Sequence, residues 1–155
     1  MRSFLGVFPT DMLPRFFTQS GTIIINADLH TEKGSHWLAV HFLPKSSSAY
    51  FFNSYCIVPL DPDIEAFIRR NYTVSDYNRR QLHGVTSNIC CKYCCLFALY
   101  MGRGFTAKEF VSNLTVRRQQ FDRSFRPSLP NSGRCVAITA AVAVADNASP
   151  AFYER

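Results

Sequence analysis

His36-Trp37-Leu38-Ala39-Val40-His41-Phe42-Leu43, then Pro44-Lys45-Ser46-Ser47-Ser48, then Ala49-Tyr50-Phe51-Phe52-Asn53: this stretch decides the fold. Two runs rich in aromatic and β-branched side chains flank a turn of proline, lysine and serine. That pattern predicts two strands joined as an antiparallel hairpin. In such a hairpin His36 opens one strand and Asn53 closes its partner, so both lie at the same end of the sheet. Strict alternation puts His41 on the opposite face from His36.

Toward the N-terminus, residues 28–34 are polar and predict a loop. Gly21-Thr22-Ile23-Ile24-Ile25-Asn26 is β-branched and predicts a buried strand. Residues 4–14 are bracketed by prolines and predict at most a short helical turn. Toward the C-terminus, Asp61-Pro62 reads as an N-cap followed by proline at the first helical position. Ile64, Phe67 and Ile68 give that helix an apolar face, and Arg69-Arg70 suit its C-terminal dipole. Residues 71–80 predict a polar loop, and Gln81-Leu82-His83 an edge strand.

A polar, turn-prone approach, Gln81-Leu82-His83-Gly84-Val85-Thr86-Ser87-Asn88-Ile89, then runs into Cys90-Cys91-Lys92-Tyr93-Cys94-Cys95-Leu96-Phe97-Ala98-Leu99-Tyr100. This predicts a helix that begins at Cys90 and is ended by Gly102 and Gly104. A thiol at a helix N-terminus meets unpaired N–H groups and the positive end of the dipole, which favour the reactive thiolate. A further helix has a full start signal: Thr106 and Glu109 form a capping box, with Phe105 and Phe110 spaced as a hydrophobic staple. After Asn113 the pattern weakens, and Pro127, Pro130 and Gly133 break regular structure. The expected organisation is one domain over residues 1–116 and an irregular tail over 117–155. The expected fold is α+β, a small central antiparallel or mixed sheet packed by helices, with the Cys90 helix in the core.

The chain has 155 residues, 47% of them apolar and 14% aromatic, enough for one globular domain with a real core. A net charge of +6 suits polyanions without identifying one. Arg69-Arg70, Arg79-Arg80 and Arg117-Arg118 are the candidate nucleic-acid contacts, and solvated charge on helix ends and loops explains them better than a sequence-specific site does. No secretory signal is evident at the start, and the apolar run 136–145 is too short to span a bilayer. A reducing, intracellular setting is the expectation, with no membrane association.

Acyl transfer by cysteine needs a thiolate, a base and donors for the oxyanion. Cys90 is the candidate nucleophile, with its own backbone N–H as one donor. Cys94 and Cys95 are better read as buried core thiols. His36, beside Trp37, is the candidate base; His30 and His41 read as ordinary histidines. Asn53 is the candidate for orienting the imidazole, and it serves equally to begin a turn after a strand. Cys91-Lys92-Tyr93-Cys94 is a CxxC, with His83, Cys56 and Cys135 as further conceivable zinc ligands. No second paired motif accompanies it. A thioredoxin-like reading of the same CxxC needs a βαβ setting that the sequence does not clearly give.

Gly34-Ser35-His36-Trp37, Tyr50-Phe51-Phe52-Asn53-Ser54-Tyr55 and Ser87-Asn88-Ile89-Cys90 stand in an order that resembles the adenovirus protease (adenain) family. They are similar, too, to relatives encoded by Maverick/Polinton-type mobile elements, distant kin of the ubiquitin-like-protein proteases. The resemblance covers about residues 4 to 110. It implies an adenain-type cysteine-protease fold and an endopeptidase that processes viral or mobile-element precursor proteins, in the nucleus or virion if virus-like. It implies His36 as base, Asn53 as orienting residue and Cys90 as nucleophile. His83 stands where the family places a glutamine that donates to the oxyanion, and a ring nitrogen would take over that role. Cys91 and Cys56 stand where the family has glycines. These departures bear on activity rather than on fold. The chemistry needs no cofactor; DNA and a short peptide are activators in the family. A weakened or inactive enzyme, a ubiquitin-like-protein deconjugating protease, and a catalytically dead or zinc-binding interaction module stay open as other readings.

Overall fold

The computed structural model describes residues 4–59, 61–82 and 89–124. Strands β1 (Phe4–Pro9), β2 (Gly21–Asn26), β3 (Trp37–Leu43), β4 (Ser48–Phe52) and β5 (Val74–Tyr77) form one five-stranded sheet in the order β1-β2-β3-β4-β5. The β2–β3 and β3–β4 pairs are antiparallel, and the outer pairs β1–β2 and β4–β5 are parallel. The sheet is therefore mixed, and the hairpin expected from residues 36–53 is its centre.

Helix α1 (Pro62–Asn71) makes the crossover between β4 and β5. It starts where the sequence predicts: the Asp61 carboxylate accepts from the backbone N–H groups of Asp63 and Ile64, and proline stands in the first turn. Its buried face is Ile64, Phe67 and Ile68. These pack on one face of the sheet with Ile23, Ile25, Leu38, Val40, Phe42 and Phe51. Phe17, in the crossover from β1 to β2, lies on the same face, stacked on Phe42 at 5.2 Å and edge-on to Phe67 at 6.3 Å.

The opposite face carries Ile24, Ala39 and Phe52, covered by helices α2 (Cys90–Gly102) and α3 (Ala107–Ser124). Alternation along the strands thus feeds two cores, one on each side. Helix α2 is buried on nearly every side, from Cys90 through Tyr93, Cys94, Cys95, Leu96, Phe97 and Ala98 to Met101. Gly104, at φ +86°, carries the chain out of the helix in a conformation that only glycine adopts freely. The Thr106–Glu109 capping box forms: the Glu109 carboxylate accepts the Thr106 N–H at 2.7 Å, and the Thr106 hydroxyl accepts the Glu109 N–H at 3.2 Å. Phe105 reaches Phe110 through Tyr100, whose ring touches both.

Three local expectations are corrected. Residues 4–9 are a strand, not a helical turn, and only Thr10–Met12 makes one turn of 3-10 helix. Residues 74–77 are a strand inside the expected polar loop. Gln81 and Leu82 lie outside the sheet, although the Leu82 N–H donates to the Ser54 carbonyl at 2.9 Å. Both missed strands are sheet edges, and edges are short, charged or only half-buried, which erases the alternation that identifies a strand. Helix α3 runs to Ser124, past residue 116, and the remainder of the expected tail, 125–155, lies outside the described residues. Among the described residues no helix is long and apolar enough to cross a membrane.

Candidate active site

Cys90 is the first residue of α2 and is 4% exposed. The backbone N–H groups of Trp37, Cys91 and Cys90 itself each act to lower its thiol pKa. The Trp37 contact matters most for the site. Trp37 opens β3, so the first turn of α2 is docked against the strand end that His36 immediately precedes. The thiol-bearing helix thus packs at the end of the hairpin where β3 begins.

His36 sits just before β3, its carbonyl accepting the Ala27 N–H at 2.9 Å. Continuing the β3–β4 register beyond Ala39↔Phe52 brings His36 opposite Tyr55. The two rings are stacked, with centroids 4.8 Å apart and planes 23° from parallel. Burial raises the Tyr55 phenol above its ordinary range, and the neighbouring Cys90 raises it further. Cys90, Tyr55 and His36 thus share one end of the sheet.

Asn53 is 4% exposed and lies at the same end. Its side-chain oxygen accepts the Tyr55 N–H at 3.0 Å, and its NH2 donates to the Ile57 carbonyl at 3.0 Å. Both ends of the amide thus build the turn that delivers Tyr55, as a turn-starting asparagine does. Asn78 holds this turn from the other side. Its oxygen accepts the Asn53 N–H at 2.9 Å, and its NH2 donates to the carbonyls of Asn53 and Arg80. The Asn78 carbonyl in turn accepts from the Cys56 thiol at 3.3 Å. Cys56 has φ +61°, the left-handed region that favours glycine.

Sequence reasoning did not single out Tyr55 and Asn78 as neighbours of the candidate residues. Tyr55 stood inside a quoted motif, so its aromatic character was a usable signal. Asn78 stood in a stretch read as loop, and nothing local marked it.

The electrostatics correct one expectation. The helix N-terminus and the Trp37 N–H do pull the Cys90 thiol down, but burial outweighs them and leaves it above its ordinary value. At rest the group is a neutral thiol, so a partner must take its proton. Cys94 and Cys95 are core thiols, as expected. Burial pushes Cys94 well up and Cys95 to about 12. Cys56, Cys90, Cys94 and Cys95 are free.

The other histidines are engaged elsewhere. His41 hydrogen-bonds the Thr22 hydroxyl at 2.9 Å, with burial lowering its pKa, and His30 pairs with Asp11 at 2.6 Å. His83, the expected oxyanion donor, falls within residues 83–88, outside the described residues, as does Cys135. Among the described residues no three His, Cys, Asp or Glu side chains group as metal ligands. A separate open groove of about 350 Å³ lies between β5 and α3, lined by Tyr50, Tyr77, Arg79, Arg80 and Lys108 among others, with no nucleophilic thiol in it.

Gly34 shows why the strand entry has its sequence. It has φ +81°, and a Cβ there would lie 3.0 Å from the Asn26 side-chain nitrogen and 3.1 Å from the Trp37 indole. Gly34→Ala is expected to destabilise the fold by about 2 kcal/mol, from left-handed strain and displaced neighbours. Urea unfolding followed by the emission of Trp37, the sole tryptophan, reads both the loss and the indole's displacement. An unchanged midpoint would show that the loop absorbs the methyl group.

No protein-family model matches this sequence, and no curated protein does. The functional reading rests on the residues themselves.

Proposed function

We propose that this chain is a cysteine endopeptidase of the adenain type, hydrolysing peptide bonds of protein substrates such as viral or mobile-element precursors. The observation that carries the reading is that Cys90, in the first turn of α2, lies beside the start of β3, where Trp37 packs on the α2 core and follows His36. His36 accepts the thiol proton as the Cys90 sulfur bonds to the scissile carbonyl carbon, whose π electrons move to oxygen. The Cys90 backbone N–H and His83 donate to that oxyanion. The C–N bond then breaks and the leaving amine takes the proton from His36. Water attacks the resulting thioester with His36 again as base, releasing the acid and restoring the thiol. In this scheme Asn53 acts on the imidazole by building the turn that carries Tyr55, and no cofactor enters the chemistry. DNA or a peptide activator belongs to the same proposal, on the resemblance alone.

Burial of the thiol also favours one competing reading, a catalytically dead module that retains the fold. pH separates the two. Because the Cys90 pKa lies above the ordinary thiol value, an unassisted thiol gains reactivity about tenfold per pH unit and is still gaining at pH 9. The parent protein is expected to react with an electrophilic peptide probe at neutral pH, with His36→Ala reverting to the steep alkaline profile. A steep alkaline profile in both proteins would sink the peptidase reading. A substrate panel with and without a Gly-Gly tail then separates an endopeptidase from a deconjugating enzyme.

A further inference from the structure

Catalysis by a neutral thiol and an imidazole demands a ring held at a fixed angle, because proton transfer is directional. His36 immediately precedes the first residue of β3. Its backbone is held through the Ala27 N–H, and its ring meets the face of Tyr55 at 4.8 Å.

Tyr55 itself is unusually well fixed for a turn residue. Its N–H is held by the Asn53 amide, and the next residue's N–H donates to the Asn53 carbonyl at 2.8 Å. The Asn53 amide then reaches forward to the Ile57 carbonyl, and the Asn78 amide clamps both backbone groups of Asn53. Five hydrogen bonds made by Asn53 thus fix the turn that carries this aromatic ring.

We propose that Tyr55 is a positioning residue that sets the His36 imidazole by face-to-face stacking. This rests on the reading of His36 and Cys90 as the catalytic pair. Stacking uses the ring face and leaves the ring nitrogens, which lie in the plane, to exchange protons with the thiol and the leaving group. The tyrosine face also favours the imidazolium formed when the thiol gives up its proton. Asn53 then acts on His36 through Tyr55, in addition to any direct role.

The test is an NMR titration of the His36 ring, assigned by its loss in His36→Gln, in the parent, Tyr55→Phe and Tyr55→Leu. Cys90 labelling rates are measured on the same proteins. Tyr55→Phe keeps the stack and is expected to keep both the His36 titration and the labelling rate. Tyr55→Leu is expected to lower the His36 midpoint by about half a unit. It is expected to slow labelling about tenfold. An unchanged His36 midpoint in Tyr55→Leu overturns the proposal, as does a Tyr55→Phe variant that falls as far as the leucine. If Tyr55→Leu does not fold, Tyr55→His, whose weaker π face should lower the midpoint in the same direction, replaces it. If Cys90 fails to label even in the parent, the peptidase reading falls, while the titration still decides whether Tyr55 sets the imidazole.

Discussion

Cys90→Ala is expected to abolish covalent labelling by an electrophilic peptide and any peptide hydrolysis. The loss in kcat should be on the order of 10⁶, as found when a nucleophile is removed from an assembled site. His36→Ala should approach the same loss, because the buried thiol is neutral without a base. The two losses should not add in the double variant, since the residues act as a unit. Selectivity supports the measurement: Cys94 and Cys95 are buried with raised pKa values, and Cys56 is the half-buried free thiol that serves as an internal control. Labelling spread equally over Cys56 and Cys90 would mean that no special chemistry resides at Cys90.

Phe97→Ala should have the largest effect on stability. The Phe97 ring is stacked on Phe52 at 4.7 Å and 6°, meets Phe110 edge-on at 5.3 Å, and lies 6.0 Å from Tyr50. It therefore joins the sheet, α2 and α3 at a single point of zero exposure. Truncating a buried phenylalanine costs about 3–5 kcal/mol, from lost transfer energy and the cavity left behind. Domains of this size have about 5–15 kcal/mol in total. The urea midpoint should fall by a large fraction with the slope unchanged. Phe105→Ala is the control: that ring is 44% exposed, and its loss should cost under about 1 kcal/mol. Equal costs for the two would mean that the aromatic cluster does not join the layers as described.

The link between the two effects is α2. The helix that presents Cys90 at its first turn also places Phe97 two turns later against the sheet. The geometry of the thiol is therefore inherited from core packing, and a destabilised Phe97 variant should lose labelling in step with its folded fraction.

Much of the architecture was legible because its signals are local. β2, β3 and β4 follow from β-branched and aromatic runs, α1 from Asp61-Pro62 and its apolar spacing, and α3 from the Thr106–Glu109 box. Strands β1 and β5 were not legible. They are edge strands in parallel pairs, and nothing in a short half-buried segment states which distant strand it will join. The crossover through Phe17 to the α1 face belongs to the same class of information.

At the site, the positions of His36, Asn53 and Cys90 at element ends came from sequence, because hairpin pairing and a helix start are local matters. The identity of their neighbours did not. Asn78 reaches Asn53 across 25 residues, and Tyr55 reaches His36 only because the hairpin register continues into the turn. The sign of the Cys90 pKa shift is the clearest division. The sequence by itself determined that a thiol stands at a helix N-terminus, whose dipole lowers its pKa. Only the tertiary structure decided that the same thiol is pressed against β3 and excluded from water. Desolvation of a charge outweighs a few backbone N–H dipoles, so the resting group is a neutral thiol.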